Sequence, residues 1–163
     1  MMKRAVCTGS FDPPTKGHLD IFKRASRLFD HVYVAVLINP AKKPLFTPEE
    51  RCDLIMQAAR AEGIDNLTAE AYDGLAVDYA MQKGAVALVR GVRNSADVEY
   101  ERSMEEANKF LCKDIETVYL LSSPELSFIS SSVVKEIASH NRTIDGLVPD
   151  AIKNKIAERL SER

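Results

Sequence analysis

The chain carries only three cysteines, Cys7, Cys52 and Cys112, which are odd in number, widely separated and without a C-x-x-C pair. That arrangement speaks against a disulfide framework and a cysteine zinc site, and it suits a reducing compartment. Long apolar runs are missing as well. The longest, Val32 to Ile38, falls far short of the roughly 20 residues a membrane-spanning helix needs. The opening Met1-Met2-Lys3-Arg4 leads only into a short strand-like run, so the expectation is a soluble, cytoplasmic protein with no membrane partner. There is no excess of positive charge: 22 Lys plus Arg stand against 24 Asp plus Glu, a formal charge of -2. No global field draws the chain to nucleic acid, and any anion site must be local. Neither G-x-G-x-x-G nor G-x-x-x-x-G-K-[ST] occurs, which argues against an ordinary dinucleotide fold and a P-loop. Repeats, low-complexity tracts and linkers are also lacking.

What is present is βαβ repetition. Strand-like runs at Arg4–Thr8, Val32–Leu37, Leu67–Ala71, Val86–Arg90 and Thr117–Leu121 each precede a segment of helical periodicity. The expected fold class is α/β: one Rossmann-like domain over residues 1–163, a mainly parallel five-stranded sheet, helices on both faces and a C-terminal helix. At 163 residues and 45% hydrophobic content, such a domain buries roughly 70% of its unfolded surface. Ile21, Phe22, Ala25, Leu28 and Phe29 form the packing stripe of the first helix, and Tyr100, Met104, Ala107 and Leu111 repeat it in the fourth. Thr47-Pro48-Glu49-Glu50 places an N-cap threonine, a first-turn proline and a third-position glutamate at the start of the second. Val133, Val134, Ile137 and Ala138 mark a fifth helix, and Pro149 with Ile152, Ile156 and Leu160 a last, peripheral one. Asn141 to Val148 reads as a loose connection between them.

The most informative segment is Gly9-Ser10-Phe11-Asp12-Pro13-Pro14-Thr15-Lys16-Gly17-His18, a strand end that runs straight into a helix. A helix N-terminus offers unpaired N–H groups and a positive dipole end to an anion, and His18 adds a ring donor. Lys42 and Lys43 follow the second strand and Arg90-Gly91-Val92-Arg93 follows the fourth, so basic residues gather at the carboxyl ends of strands, where α/β sheets bind ligands. Polyphosphate chemistry needs such cations to bring two anions together. Lys43 reads as a solvated surface charge, Arg90 as a residue at the sheet's functional edge.

Ser127-Phe128-Ile129-Ser130-Ser131-Ser132 precedes a helix, so its hydroxyls and N–H groups can converge on phosphate oxygens, or one serine can simply cap the helix. His31 and His140 read as a loop residue and a helix C-terminal residue. Asp12 has no second carboxylate nearby in sequence, which leaves the protein no metal cage of its own.

Together these motifs resemble the T/H-x-G-H nucleotidylyltransferases, and among them the bacterial phosphopantetheine adenylyltransferase family, over essentially the whole chain. The resemblance implies transfer of the adenylyl group of ATP to 4′-phosphopantetheine, giving dephospho-coenzyme A and pyrophosphate. By resemblance, Ser10 and Phe11 meet ATP, Ser10 also touches the acceptor phosphate, and His18 contacts the α-phosphate. Lys42, Arg90 and the backbone around Ala76 correspond to acceptor contacts. Gly91, Val92, Arg93, Glu101, Leu126, Ser127, Phe128, Ile129, Ser130, Ser131 and Ser132 correspond to ATP contacts. Three positions depart from the family pattern: Ser10 stands where threonine is frequent, Leu126 where an aromatic is frequent, and Lys135 where the wider superfamily has arginine. The family also implies a hexamer.

The catalytic set expected is His18, Lys42 and Arg93, counted with Arg90 as four cations, and Mg2+ held mainly by ATP phosphates and water. An ionised phosphate monoester requires no dedicated general base. Two alternatives stay open at this point: an adenylyltransferase for another phosphorylated acceptor such as nicotinate mononucleotide, and a non-catalytic nucleotide-sensing module.

Overall fold

The structure, a computed structural model, describes residues 2–38 and 43–162. Five strands, β1 (Arg4–Gly9), β2 (His31–Leu37), β3 (Leu67–Tyr72), β4 (Ala87–Val92) and β5 (Glu116–Leu121), form one parallel sheet in the order β3-β2-β1-β4-β5. Helices α1 (Lys16–Leu28), α2 (Pro48–Ala61), α3 (Ala76–Gln82) and α4 (Ser95–Leu111) make the crossovers. Helices α5 (Ser131–Ser139) and α6 (Lys153–Ser161) follow β5. Strand order reverses between β1 and β4, and a parallel sheet opens its ligand crevice at that point, beyond the carboxyl ends of the strands.

Alternation along the strands builds the two faces. Ala5, Cys7, Val32, Val34, Val36, Ala87 and Val89 point to the core under α1 and α2, whereas Val6, Ala35 and Leu88 point to the one under α3. A third cluster lies off the sheet: Leu45, Phe46, Leu54, Ile129, Val134, Ile144, Leu147, Val148, Ile152 and Ile156. It joins the segment before α2 to the last two helices.

β1, β3 and β4 run one or two residues past their predicted ends, β2 and β5 begin one residue early, and α2 opens on the expected capping box, with Thr47 and Glu50 bonding each other's backbone N–H groups. Four packing expectations need correction. Leu28 is exposed, because α1 ends there; Ile21, Phe22 and Ala25 are buried and Phe29, half-buried, packs against the same core as expected. The stripe of α4 is not packed: no residue of α4 is buried, and Tyr100 is 70% exposed, with Met104, Ala107 and Leu111 exposed as well. The connection 141–148 is not loose, nor is α6 peripheral. Ile144, Leu147 and Val148 are buried, Leu147 accepts a backbone bond from Lys16 N–H at 2.9 Å, and Ile156 is fully buried.

Candidate active site

The loop between β1 and α1 is held from three sides. Phe11 adopts φ +50°, a conformation uncommon for a residue with a side chain. Its ring is buried, edge-on to His18 at 5.0 Å and to Phe22 at 5.2 Å. Gly9 is required beneath it, since a Cβ there would stand 2.8 Å from the Phe11 ring. Asp12 is buried, and its carboxylate accepts the N–H groups of Leu45 at 2.8 Å and Phe46 at 2.9 Å, with Lys135 Nζ at 3.4 Å. Arg51, 5% exposed, donates to the Ser10 carbonyl at 2.8 Å. Phe11 thus meets the core through its ring and leaves only backbone to a ligand.

Thr15 caps α1 reciprocally with His18. The Thr15 hydroxyl accepts His18 N–H at 3.3 Å, and Nδ1 of His18 accepts Thr15 N–H at 3.1 Å. With Nδ1 an acceptor, the neutral ring carries its proton on Nε2. Burial, then the charges of Arg93 and Arg90, push the His18 pKa down to about 4. His18 is therefore a neutral donor near pH 7 and not one of four cations.

The first-turn N–H groups of α1 are mostly spent. Lys16 N–H binds Leu147 and His18 N–H binds Thr15, which leaves Gly17 N–H in the first turn of α1. At α5, Ser130 caps Val133 N–H at 3.1 Å, Ser131 donates to the Pro13 carbonyl at 2.8 Å and Ser127 to the Pro124 carbonyl at 2.9 Å. Three of the four serine hydroxyls are committed to structure, so the capping alternative holds for Ser130. The Ser132 hydroxyl has no partner among the described residues.

Two cavities flank this loop. The first, about 330 Å³, is lined by Gly17, His18, Gly91, Arg93, Glu101 and Ser130, together with Ile21, Asp97, Tyr100, Ser122 and Ile129. The second, about 550 Å³, includes Ser10, Lys43, Arg51, Ser131, Ser132 and Lys135 in its wall. Lys43, expected to be a plain surface charge, is exposed but lines this second cavity. Arg93 thus faces the first space and Lys43, Arg51 and Lys135 the second, while Arg90 lines neither.

Arg90 is bound to Glu101 by two bonds, 2.8 and 2.6 Å, and to the carbonyl and hydroxyl of Thr8 at 2.5 and 2.6 Å, leaving one Nη2 N–H. Arg93 pairs with Asp97 at 2.9 Å, and Asp97 is held below the usual carboxylate range by that bond. Gly91 lies against α1, where a Cβ would come within 2.9 Å of Ile21 Cγ1. Val92 is buried in the sheet and contributes backbone alone. Leu126 packs on the third cluster, Phe128 is exposed, and Ala76 begins α3 without a side-chain cap. Lys42 lies outside the described residues. His31 bonds Thr68 on the neighbouring strand and His140 caps α5.

Sequence reasoning missed Arg51, the structural duty of Asp12, and Asp97. Arg51 had a signal: it falls in the buried stripe of α2 with Leu54, Ile55, Ala58 and Ala59. An arginine in an apolar stripe needs buried acceptors.

Residues 6–137 match the family model described as cytidylyltransferase-like. A phosphopantetheine adenylyltransferase of Shouchella clausii is 46% identical over 157 residues, 96% of this chain and 98% of the relative. Proteins of the same name from Clostridium novyi, 45% identical, and Symbiobacterium thermophilum, 47% identical, each align over 161 residues and 99% of this chain, covering 99% and 98% of themselves. A solved structure of a candidate nicotinate-nucleotide adenylyltransferase from Vibrio parahaemolyticus has a TM-score of 0.70 at 17% identity, covering 98% of this chain and 96% of its own. That last likeness concerns fold alone. The near-full-length relatives and the family model place the chain in the cytidylyltransferase-like family, among its phosphopantetheine adenylyltransferases.

Proposed function

We infer that the chain transfers the adenylyl group of ATP to 4′-phosphopantetheine, releasing pyrophosphate and forming dephospho-coenzyme A. The observation that carries the acceptor's identity is the 45–47% identity, over nearly full length, to three enzymes of that name. The nicotinate alternative rests on a 17% fold likeness and is the weaker reading.

In the proposed reaction the acceptor's phosphate, largely ionised at neutral pH, attacks the α-phosphorus. A phosphorus–oxygen bond forms to the acceptor as the bond to the leaving pyrophosphate breaks. His18 donates Nε2–H to an α-phosphate oxygen, and Arg93 and Lys42 offset charge on the departing phosphates. Gly91, Glu101 and Ser130 shape the nucleotide side, with Ser10, Lys42, Arg90 and the backbone at Ala76 on the acceptor side. Magnesium enters with its substrate as MgATP. We further propose a cytoplasmic homohexamer, with the whole activity in the one domain 1–163. The three free thiols and the uncovered apolar residues of α4 support these readings.

Pyrophosphate release that requires both ATP and 4′-phosphopantetheine tests the reaction. Pantetheine without its phosphate should be inert, and chelation of divalent cations should stop turnover. Preference for nicotinate mononucleotide would overturn the acceptor assignment.

A further inference from the structure

Arg51 is a charged side chain with no evident reason to be buried. No carboxylate lies within ion-pair distance of it among the described residues, and its charge is directed instead at two carbonyls, Ser10 at 2.8 Å and Thr47 at 3.3 Å. A charge-assisted bond of that kind is stronger than a neutral one and fixes its acceptor's direction. The Ser10 carbonyl belongs to the peptide whose other end is Phe11 N–H. That peptide is trans, so its carbonyl and N–H point in opposite directions. Holding the carbonyl on Arg51 therefore aims Phe11 N–H away from Arg51.

Phe11 N–H has no hydrogen-bond partner among the described residues, although the Phe11 ring is buried and its backbone sits at φ +50°. A backbone in that region persists only where its surroundings over-determine it. The ring contacts fix the side chain; Arg51 fixes the peptide.

We propose that Arg51 is a positioning residue, which orients the Ser10–Phe11 peptide so that Phe11 N–H is a preorganised donor for an anionic phosphate oxygen of the nucleotide. This rests on the adenylyl-transfer reading above. The cost of aligning the donor is met in folding, so it does not fall on the reaction step.

The test combines amide NMR with kinetics on the full chain. In the wild type, the Phe11 amide resonance should move downfield on saturation with the non-hydrolysable analogue α,β-methylene-ATP. In Arg51→Met, kcat should fall by about tenfold to a hundredfold, as losing an oriented donor typically does, with KM for 4′-phosphopantetheine changed less than about threefold. Arg51→Lys keeps a buried donor within reach of the carbonyl and should recover part of kcat and of the Phe11 shift. A wild-type Phe11 amide that ignores the bound analogue overturns the proposal even if Arg51→Met fails to fold. So does a folded Arg51→Met with wild-type kcat. Wild-type protein that releases no pyrophosphate with 4′-phosphopantetheine would overturn the functional reading instead, and the analogue titration would still report on Phe11.

Discussion

His18 is lowered to a pKa of about 4 by burial and by the neighbouring guanidinium groups of Arg93 and Arg90, and this has two measurable results. First, kcat/KM between pH 6 and 8 should show no break from His18, whose ring stays neutral across that range; a break near 6.5 that vanishes in His18→Ala would contradict the assignment. Second, stability should depend on acid in a defined window. The folded pKa lies below the unfolded value of about 6.5. The contribution is therefore complete above pH 6.5 and is lost as pH falls toward 4, because only the unfolded chain takes up the proton there. Denaturant titrations should show that slope in the wild type and a shallower one in His18→Ala. The same variant should lower kcat by about 10²-fold with KM for ATP changed modestly, if the Nε2–H bond strengthens mainly in the transition state. Preserved turnover in folded His18→Ala would reduce the histidine to a helix cap.

At the scale of elements, the loop before α1 and the segment before α2 are joined by a single carboxylate. Asp12→Ala would leave the N–H groups of Leu45 and Phe46 without their acceptor, at a cost of about 2–4 kcal/mol in unfolding free energy. Asp12→Asn should lose less, since one amide oxygen can still accept; equal losses in the two variants would show that the charge and Lys135 matter more than the bonds. Such ties were not legible in the chain, because Asp12 and its partners lie 33 and 34 residues apart. The central strands, by contrast, were legible: short, continuous apolar runs such as Val86–Val89 report strands covered on both faces. The G-S-F-D-P and T-x-G-H motifs placed the loop, but not the neutrality of His18 or the pairing of Arg90 with Glu101. Those depend on burial and on partners brought in by other elements, as Glu101 is by α4. The serine run was ambiguous for a related reason, as a hydroxyl's acceptor on a distant carbonyl leaves no periodicity.

For the whole molecule, α4 is the point at which periodicity misled. A 3.6-residue repeat reports an apolar face without reporting what covers it. Phe110 is 87% exposed, Leu121 on the edge strand β5 63%, and Tyr100, Met104 and Leu111 are open beside the first cavity and beyond it. Apolar exposure of this extent supports the proposed homo-oligomer. Light scattering should therefore give a mass several times 18.1 kDa, six times for the hexamer, and Phe110→Glu should shift it toward smaller species. A wild-type mass of 18.1 kDa at micromolar concentration would refute the assembly.

The third apolar cluster bears on when the site comes into being. Leu45 and Phe46 from the first third of the chain close on Ile144, Leu147 and Ile156 from its last part, and Lys16 N–H is tied to Leu147. Bringing such distant segments together demands loop closures that are entropically expensive and slow, so contacts of this range form late. The β1–β2 pair can join early from neighbouring segments, but the floor under Ser10 to His18 cannot. Ligand-binding competence should thus be among the last properties this polypeptide acquires as it folds, and among the first it loses when the segment around Leu147 and Ile156 lets go.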